Sequence, residues 1–208
     1  GDKSTYQIEV SVPAGTWKSF QIETMLHKSM KQNGPGRNTT NANPNFVLTE
    51  MIVKLEGASK PLDFVRVTAD FNQGGFLPRQ LFDGNLDARN GWAIAPEFGK
   101  AHWLQAEFSE PLVLSKDSKL LIEMKHLYGG GRNVGRPRFS LSTDGVKKGE
   151  AENKRLQELL AKEKRNGKEE KELRAIFDQE NPKLLALQKK VAELEKSLKK
   201  VTPPTTLV

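Results

Sequence analysis

The chain has 208 residues and a formal net charge of +7, and its composition changes near residue 146. Residues 1–146 carry 17 Lys and Arg against 15 Asp and Glu, whereas residues 147–208 carry 16 against 11. Interleaved charge of this kind is typical of a solvated helix face rather than a nucleic-acid footprint. No apolar run reaches the roughly 20 residues of a membrane span. The absence of cysteine excludes disulfides and thiolate sites. We therefore expect two domains, 1–146 and 147–208, with neither a nucleic-acid partner nor a membrane span.

The first domain has the residue alternation of half-buried strands. Tyr6, Ile8 and Val10 alternate with polar residues, a period of two that indicates a strand. A loop rich in Asn, Gly and Pro follows over 31–45, and further strand-forming runs lie at 20–26, 46–55, 64–69, 103–108, 120–127 and 138–142. About eight short strands without an amphipathic helix between them predict a mainly β domain, an antiparallel β-sandwich that is most simply a jelly roll.

The second domain has helical periodicity. Two short apolar stripes come first, and a third helix is predicted to begin at Asn181-Pro182, a good N-cap followed by a favoured first residue. Its apolar residues recur at spacings of 3 and 4, like a coiled-coil seam: Leu184, Leu187, Val191, Leu194, Leu198 and Val201. The pattern predicts a C-terminal α-helical hairpin or coiled-coil-like segment, which serves either as a spacer or as a surface for a specific partner.

A series of short motifs resembles a passage of large secreted planctomycete proteins that combine a cytochrome c-type domain with planctomycete-specific domains of unknown function. The motifs in this chain are 33–37, 45–50, 82–85, 91–93, 102–103 and 135–142, and the last departs from the family pattern at Pro137, where an aromatic residue is usual. The tail at 204–208 resembles the stretch that leads into the family's C-terminal domain. The resemblance implies a galactose-binding-like sandwich, similar to discoidin and carbohydrate-binding modules, within a larger periplasmic or extracellular protein.

One Gly-containing turn is a candidate calcium site. Asp83, Asn85 and Asp87 offer oxygen side chains at alternate positions, and Ca²⁺ takes six to eight oxygen ligands. Galactose-binding-like modules, which the chain resembles, often hold a structural calcium in a comparable loop. The alternative is an ordinary turn in which these side chains accept hydrogen bonds from their own backbone.

Candidate carbohydrate-binding residues lie near predicted strand ends, where a rigid sandwich carries its binding loops. Sugar binding needs an aromatic platform and a few fixed polar groups, and the residues that suit it are Trp92, His102, His126, Tyr128, Arg132 and Arg136. Trp92 has an alternative as a core residue, and His126 shares a predicted face with apolar residues, which favours burial. The arginines, together with Arg138, suit the sulfate or carboxylate groups of an acidic glycan, or are ordinary surface charge.

Nothing in the sequence matches a catalytic motif such as a nucleophile elbow, a zinc-protease helix, a phosphate loop or a dinucleotide fingerprint. We therefore expect a non-catalytic module that binds polysaccharide, acidic or sulfated polysaccharide included, and that holds a larger exported protein on it. The alternative is an architectural module that packs against the other domains of the parent protein and binds no sugar.

Overall fold

The structure, a computed structural model, describes residues 3–37, 43–146, 156, 158–180, 187, 190, 191, 194 and 197. It divides into two compact units, Gly1–Gln157 and Glu158–Val208. Within the described residues, no helix combines the length and apolar character that crossing a lipid bilayer requires.

The first unit is mainly β, as predicted, and every strand pair in it is antiparallel. The described strands are β1 (Ser4–Val12), β2 (Gly15–Thr24), β3 (Val47–Leu48), β4 (Glu50–Leu55), β5 (Phe64–Ala69), β6 (Trp92–Ala93), β7 (His102–Leu114), β8 (Ser118–His126) and β9 (Pro137–Ser142). One sheet has the order β1-β8-β4, a second has the order β5-β7-β2-β9, and β3 pairs with β6. The predicted antiparallel β character is therefore confirmed.

Several strands differ from their predicted extents, among them β2, which begins at Gly15, and two of the differences have a physical reason in the strand pairing. The run over 46–55 is divided at Thr49, whose backbone N–H donates to Lys125 O and whose Oγ1 accepts from Leu127 N–H. This change of partner lets β3 pair with β6 while β4 pairs with β8. β7 extends beyond the predicted 103–108 because it pairs with β2 along both halves, across an irregularity between Trp17 and Ser19.

The core is formed by side chains of both large sheets. Leu120, Ile122 and Met124 of β8 belong to the same hydrophobic cluster as Leu104 and Ala106 of β7. Alternate residues of each strand point into it, which is how a half-buried strand buries one face. A core shared by two antiparallel sheets is consistent with a β-sandwich.

Trp92 closes the core beside the small β3–β6 pair. Its side chain is fully buried, contacts Phe46 edge to face at a centroid distance of 5.0 Å, and donates from Nε1 to Phe71 O at 2.9 Å. Gly91 precedes it with φ +104, and a Cβ at Gly91 would lie 2.0 Å from Leu48 O. Glycine is required there because the β3 backbone approaches too closely for any side chain.

The second unit contains helix α1 (Gly167–Glu180). Asn166 Oδ1 accepts from the N–H groups of Lys168 and Glu169, and the Glu169 side chain accepts from Asn166 N–H, which forms a reciprocal cap. The described residues at 187, 190, 191, 194 and 197 are helical, in agreement with the predicted third helix. The other predicted features of that helix lie outside the described residues: Asn181, Pro182, Leu184, Leu198, Val201, Pro203 and Pro204.

The burial of Trp92 gives the first testable expectation. Replacement by alanine should lower the free energy of unfolding by about 3–5 kcal/mol, because a large side chain is removed from a site without solvent access. Urea denaturation followed by circular dichroism measures the change. Leu86→Ala, at a side chain that is 51% exposed, is the matched control and should stay within about 0.5 kcal/mol of the unsubstituted chain. Equal effects of the two substitutions would contradict the core role.

Candidate functional site

The six residues that the sequence suggests for sugar binding separate into a buried and an exposed group. Trp92, His102 and His126 have at most 1% of their surface exposed. A stacking platform must expose a ring face to the sugar, and Trp92 exposes none. In this structure the tryptophan therefore has the core position that the sequence left open as its alternative.

His102 is held between two acceptors at the start of β7. Its Nδ1 lies 2.8 Å from an Asp70 carboxylate oxygen, and its Nε2 lies 2.6 Å from Glu97 O. Both ring nitrogens therefore lie within hydrogen-bond distance of an oxygen. Burial disfavours the imidazolium, but Asp70 and the Glu97 carbonyl outweigh it and raise the pKa of His102. His102 thus ties the loop at Glu97 to the end of β5.

His126 lies at the end of β8, on the buried face that its position predicts. Its ring packs against Tyr6 at a centroid distance of 4.7 Å, and Val134 N–H donates to Nε2 at 3.2 Å. Burial lowers the pKa of His126 to about 4, because the charged ring would lose its hydration. A neutral, enclosed imidazole of this kind supports the Val134 segment and presents no group to a ligand in solution.

Tyr128, which is exposed, and Arg132, which is half-buried, lie together. The Tyr128 side chain is 43% exposed, and the Arg132 guanidinium carbon lies 5.4 Å from its ring centroid. The Phe76 ring lies 6.4 Å from Tyr128 on another loop. Arg136 is exposed but does not line this pocket, and Arg138 donates two hydrogen bonds of 2.6 Å to the Glu23 carboxylate. Of the arginines considered, Arg132 therefore has the position of a ligand-binding group.

These side chains border an open pocket, here called the Tyr128 pocket, with about 380 Å³ of empty space. Besides Tyr128 and Arg132, the described residues that line it are not among those that the sequence suggested for binding: Asn43, Asn45, Val47, Gln73, Phe76 and Ala95. The sequence contains only weak signals for these lining residues. Asn45 belongs to one of the quoted motifs, and Phe76 directly follows the Gly74-Gly75 turn.

The carboxamide of Asn45 holds the pocket together. Its Nδ2 donates to Gln73 Oε1 at 3.0 Å, and its Oδ1 accepts from Ile94 N–H at 3.1 Å. Asn45 N–H donates to Asn43 Oδ1 at 2.7 Å. Three loops that are distant in sequence therefore meet through one buried side chain, and the Gln73 Nε2 group makes none of the hydrogen bonds found among the described residues.

Arg132 gives the pocket its charge. Among the described residues of the lining it is the one that carries a charge, and none of them is a carboxylate. Within the part of the chain that the structure describes, its guanidinium forms no salt bridge and donates no hydrogen bond, and its contact is with the Tyr128 ring. A guanidinium placed over an aromatic face is stabilised there and retains its donors for an anionic group.

The candidate calcium residues form three successive turns. Asp83 Oδ1 accepts from Asn85 N–H, Asn85 Oδ1 from Asp87 N–H, and Asp87 Oδ1 from Arg89 N–H, at 2.8–3.0 Å. All three side chains are exposed. Among the described residues there is no group of three or more acidic, histidine or cysteine side chains arranged to hold a metal. The turn that the sequence left open as an alternative accounts for these hydrogen bonds.

A buried acid lies under the same loop. Glu50 is 5% exposed, and its Oε2 accepts from Gly84 N–H at 3.2 Å. Burial, together with repulsion from the Asp83 carboxylate, raises the pKa of Glu50 to about 7. Above that pH the folded protein holds two neighbouring negative charges.

The raised pKa of Glu50 predicts a pH-dependent stability. Between 4.5 and 7 the folded chain keeps a proton that the unfolded chain releases, so stability falls as the pH rises through this range. Glu50→Gln removes the charge and should raise the Tm at pH 8, with little change at pH 5. Thermal unfolding at both pH values measures this. Glu56→Gln, at an exposed acid after β4, controls for the general loss of charge, and an equal gain from Glu50→Gln at both pH values would contradict the prediction.

The chain has no match among known family models, curated proteins or solved structures.

Proposed function

We propose that the first unit is a non-catalytic carbohydrate-binding module and that the Tyr128 pocket is its binding site. The observation that carries the proposal is the meeting of an exposed aromatic ring, carboxamides and a single guanidinium in one open pocket. Sugars are recognised by this combination, because their C–H faces stack on aromatic rings while their hydroxyls need fixed polar groups.

Each part of the pocket has a chemical role in this proposal. The Tyr128 ring provides the stacking surface, and Phe76 supports it from the neighbouring loop. The Gln73 carboxamide, oriented by the Asn45 contact at 3.0 Å, keeps its N–H donors for sugar hydroxyls. Arg132 binds a carboxylate or sulfate through its planar fork. The expected ligand is therefore a polysaccharide that carries uronic acid or sulfate groups.

The fold and setting complete the proposal. Most successive long strands lie in different large sheets, such as β1 and β2 or β7 and β8, whereas β5 and β7 are neighbours in one sheet. The alternation of the other strands supports jelly-roll, galactose-binding-like connectivity. The resemblance of the sequence motifs to planctomycete cytochrome-containing proteins is the ground for proposing that the module belongs to a larger periplasmic or extracellular protein. Its role there is to hold the parent protein on glycan without performing chemistry.

Tyr128→Ala should weaken glycan binding by about 10- to 100-fold, corresponding to about 1.4–2.8 kcal/mol of lost binding free energy. The Tm should change little, because the side chain is 43% exposed. A glycan array with neutral and sulfated polysaccharides identifies the ligand, and calorimetry measures the affinity.

Two further variants sharpen the same experiment. Arg132→Lys keeps the charge but removes the bidentate fork, so binding of acidic glycans should weaken more than binding of neutral ones. Arg89→Ala, at an exposed arginine outside the pocket, is the matched control and should bind normally. The absence of binding across neutral, uronic and sulfated polysaccharides would refute the proposal.

One observation favours the architectural alternative. An apolar groove lies between the edge strands β1 and β9, with Val10, Trp17, Phe139 and Leu141 in its lining. A groove of this kind suits the surface of a neighbouring domain in a parent protein. Glycan binding by the unsubstituted chain separates the two functions, because an architectural module would bind no glycan.

We also propose to test structural calcium at the Asp83–Asp87 loop. A bound ion would use the carboxylate oxygens that the turns leave available, and it would offset the repulsion between Asp83 and Glu50. The expected result is a higher Tm in calcium chloride than in chelator, with the difference lost in Asp83→Asn. An identical Tm in both solutions would leave the loop with its hydrogen-bonded turns alone.

A further inference from the structure

A loop rich in lysine and arginine, here called the basic loop (residues 27–37), borders the Tyr128 pocket. Its lysine and arginine side chains, Lys28, Lys31 and Arg37, are all exposed, and the loop contains no aspartate or glutamate. None of the three forms a salt bridge within the part of the chain that the structure describes. Their charges are therefore available to an anionic partner from solution.

Backbone hydrogen bonds join the basic loop to two segments that carry the pocket. Gly36 N–H donates to Pro44 O at 2.8 Å, and Pro44 lies between two residues of the lining. A Cβ at Gly36 would overlap that oxygen, so the two backbones are in direct contact. Arg37 N–H donates to Asn133 O at 2.8 Å. Arg37 therefore lies beside the segment that carries Arg132.

The positive charge of residues 1–146 is concentrated at this surface. Arg132 and Arg136 belong to the segment 127–137, which also contains no aspartate or glutamate. Together with the three cations of the basic loop they are five of the 17 Lys and Arg residues in 1–146, and the other 12 stand against 15 Asp and Glu. The remainder of that range is therefore net negative, and clustered charge of one sign attracts ligands of the opposite sign.

Two carboxylates that neighbour the surface are already paired with other cations. Glu23, which lies shortly before the basic loop in the chain, accepts two hydrogen bonds of 2.6 Å from Arg138. Glu97 pairs with Lys100 on a loop that is hydrogen-bonded to the basic loop at 3.4 Å. These pairs leave the five cations of the surface without neutralisation by Glu23 or Glu97.

We infer that the Tyr128 pocket is one part of a longer binding surface, which continues over the basic loop and Arg136 and takes a polyanionic polysaccharide chain. The inference rests on the proposed carbohydrate function of the pocket. The pocket binds one sugar of the chain, while Lys28, Lys31 and Arg37 pair with sulfate or uronate groups on neighbouring sugars. Guanidinium and ammonium groups both suit these anions.

The composition of the surface favours a polysaccharide over a nucleic acid. Single-stranded nucleic acids are held by successive bases that stack on several aromatic side chains. Apart from Tyr128, the basic loop and the segment 127–137 contain no Phe, Trp or Tyr. A chain that needs one stacking ring and repeated anionic contacts therefore fits this surface better.

Calorimetry of the full chain with dextran and dextran sulfate tests the charge requirement, because the two polymers share a backbone and differ in sulfate. Dextran sulfate should bind at low salt and lose affinity roughly 10- to 100-fold between about 50 and 200 mM salt, as expected for a few contacts to a polyanion. Dextran should bind far more weakly. Equal binding of the two polymers, or binding that salt does not weaken, would overturn the inference.

The triple substitution Lys28→Gln, Lys31→Gln and Arg37→Gln tests the basic loop itself. It should weaken dextran sulfate binding by roughly 10-fold or more at low salt and make the remaining binding less sensitive to salt. The thermal unfolding transition should stay in place, because the three side chains are exposed and form no salt bridge with a described residue.

A second triple variant, Lys18→Gln, Lys60→Gln and Lys116→Gln, is the matched control. It removes the same charge at exposed positions outside both basic segments and outside the pocket lining. It should weaken dextran sulfate binding much less than the basic-loop variant does. Equal losses in the two triple variants would show that net charge alone drives binding and would overturn the inference.

Tyr128→Ala separates this inference from the proposed function. If Tyr128→Ala weakens glycan binding and the basic-loop variant does not, the pocket stands and the longer surface is refuted. The reverse result would refute the pocket and support the basic loop as a polyanion-binding surface. Duplex DNA that binds more tightly than dextran sulfate would overturn the assignment to polysaccharide.

Discussion

The burial of Trp92 is the constraint on which the loops around the Tyr128 pocket depend. A buried indole must satisfy its N–H, and Nε1 does so at Phe71 O. The side chain also packs on Phe46, and the close approach of β3 requires glycine at position 91. The backbone segments after β5 and around β3 and β6 are therefore fixed relative to one another by one side chain.

The Tyr128 pocket lies on the outer side of the loops that this packing arranges. Asn45 directly precedes the core residue Phe46, and its carboxamide is hydrogen-bonded to Gln73 and to Ile94. These bonds connect the packed core to the loops of the pocket. Arg132 supplies a positive charge that no described residue of the lining neutralises.

The two units differ in where their apolar side chains lie. The β unit buries a core and presents a small polar pocket, whereas the helical unit leaves Leu187, Val191 and Leu194 exposed.

Local periodicity made much of the fold predictable. Alternation in 4–12 and 118–126, and the 3–4 spacing of the helical tail, depend on neighbours within a few residues, so the sequence contains them directly. The division of 46–55 at Thr49 was not predictable in this way. It follows from hydrogen bonds to Lys125 and Leu127, which are distant from Thr49 along the chain.

The candidate site was predictable only in part, for the same reason. By itself, the sequence determined an antiparallel β domain, a charged helical segment with a seam, and Tyr128 and Arg132 as members of a larger candidate set. Only the tertiary structure decided that Trp92 is enclosed, that His102 is held by Asp70, and that Asn45 and Gln73 join the pocket. The exposure of a side chain and its proximity to other residues are set by contacts between segments that are distant in sequence. The residue spacing within one segment does not determine those contacts.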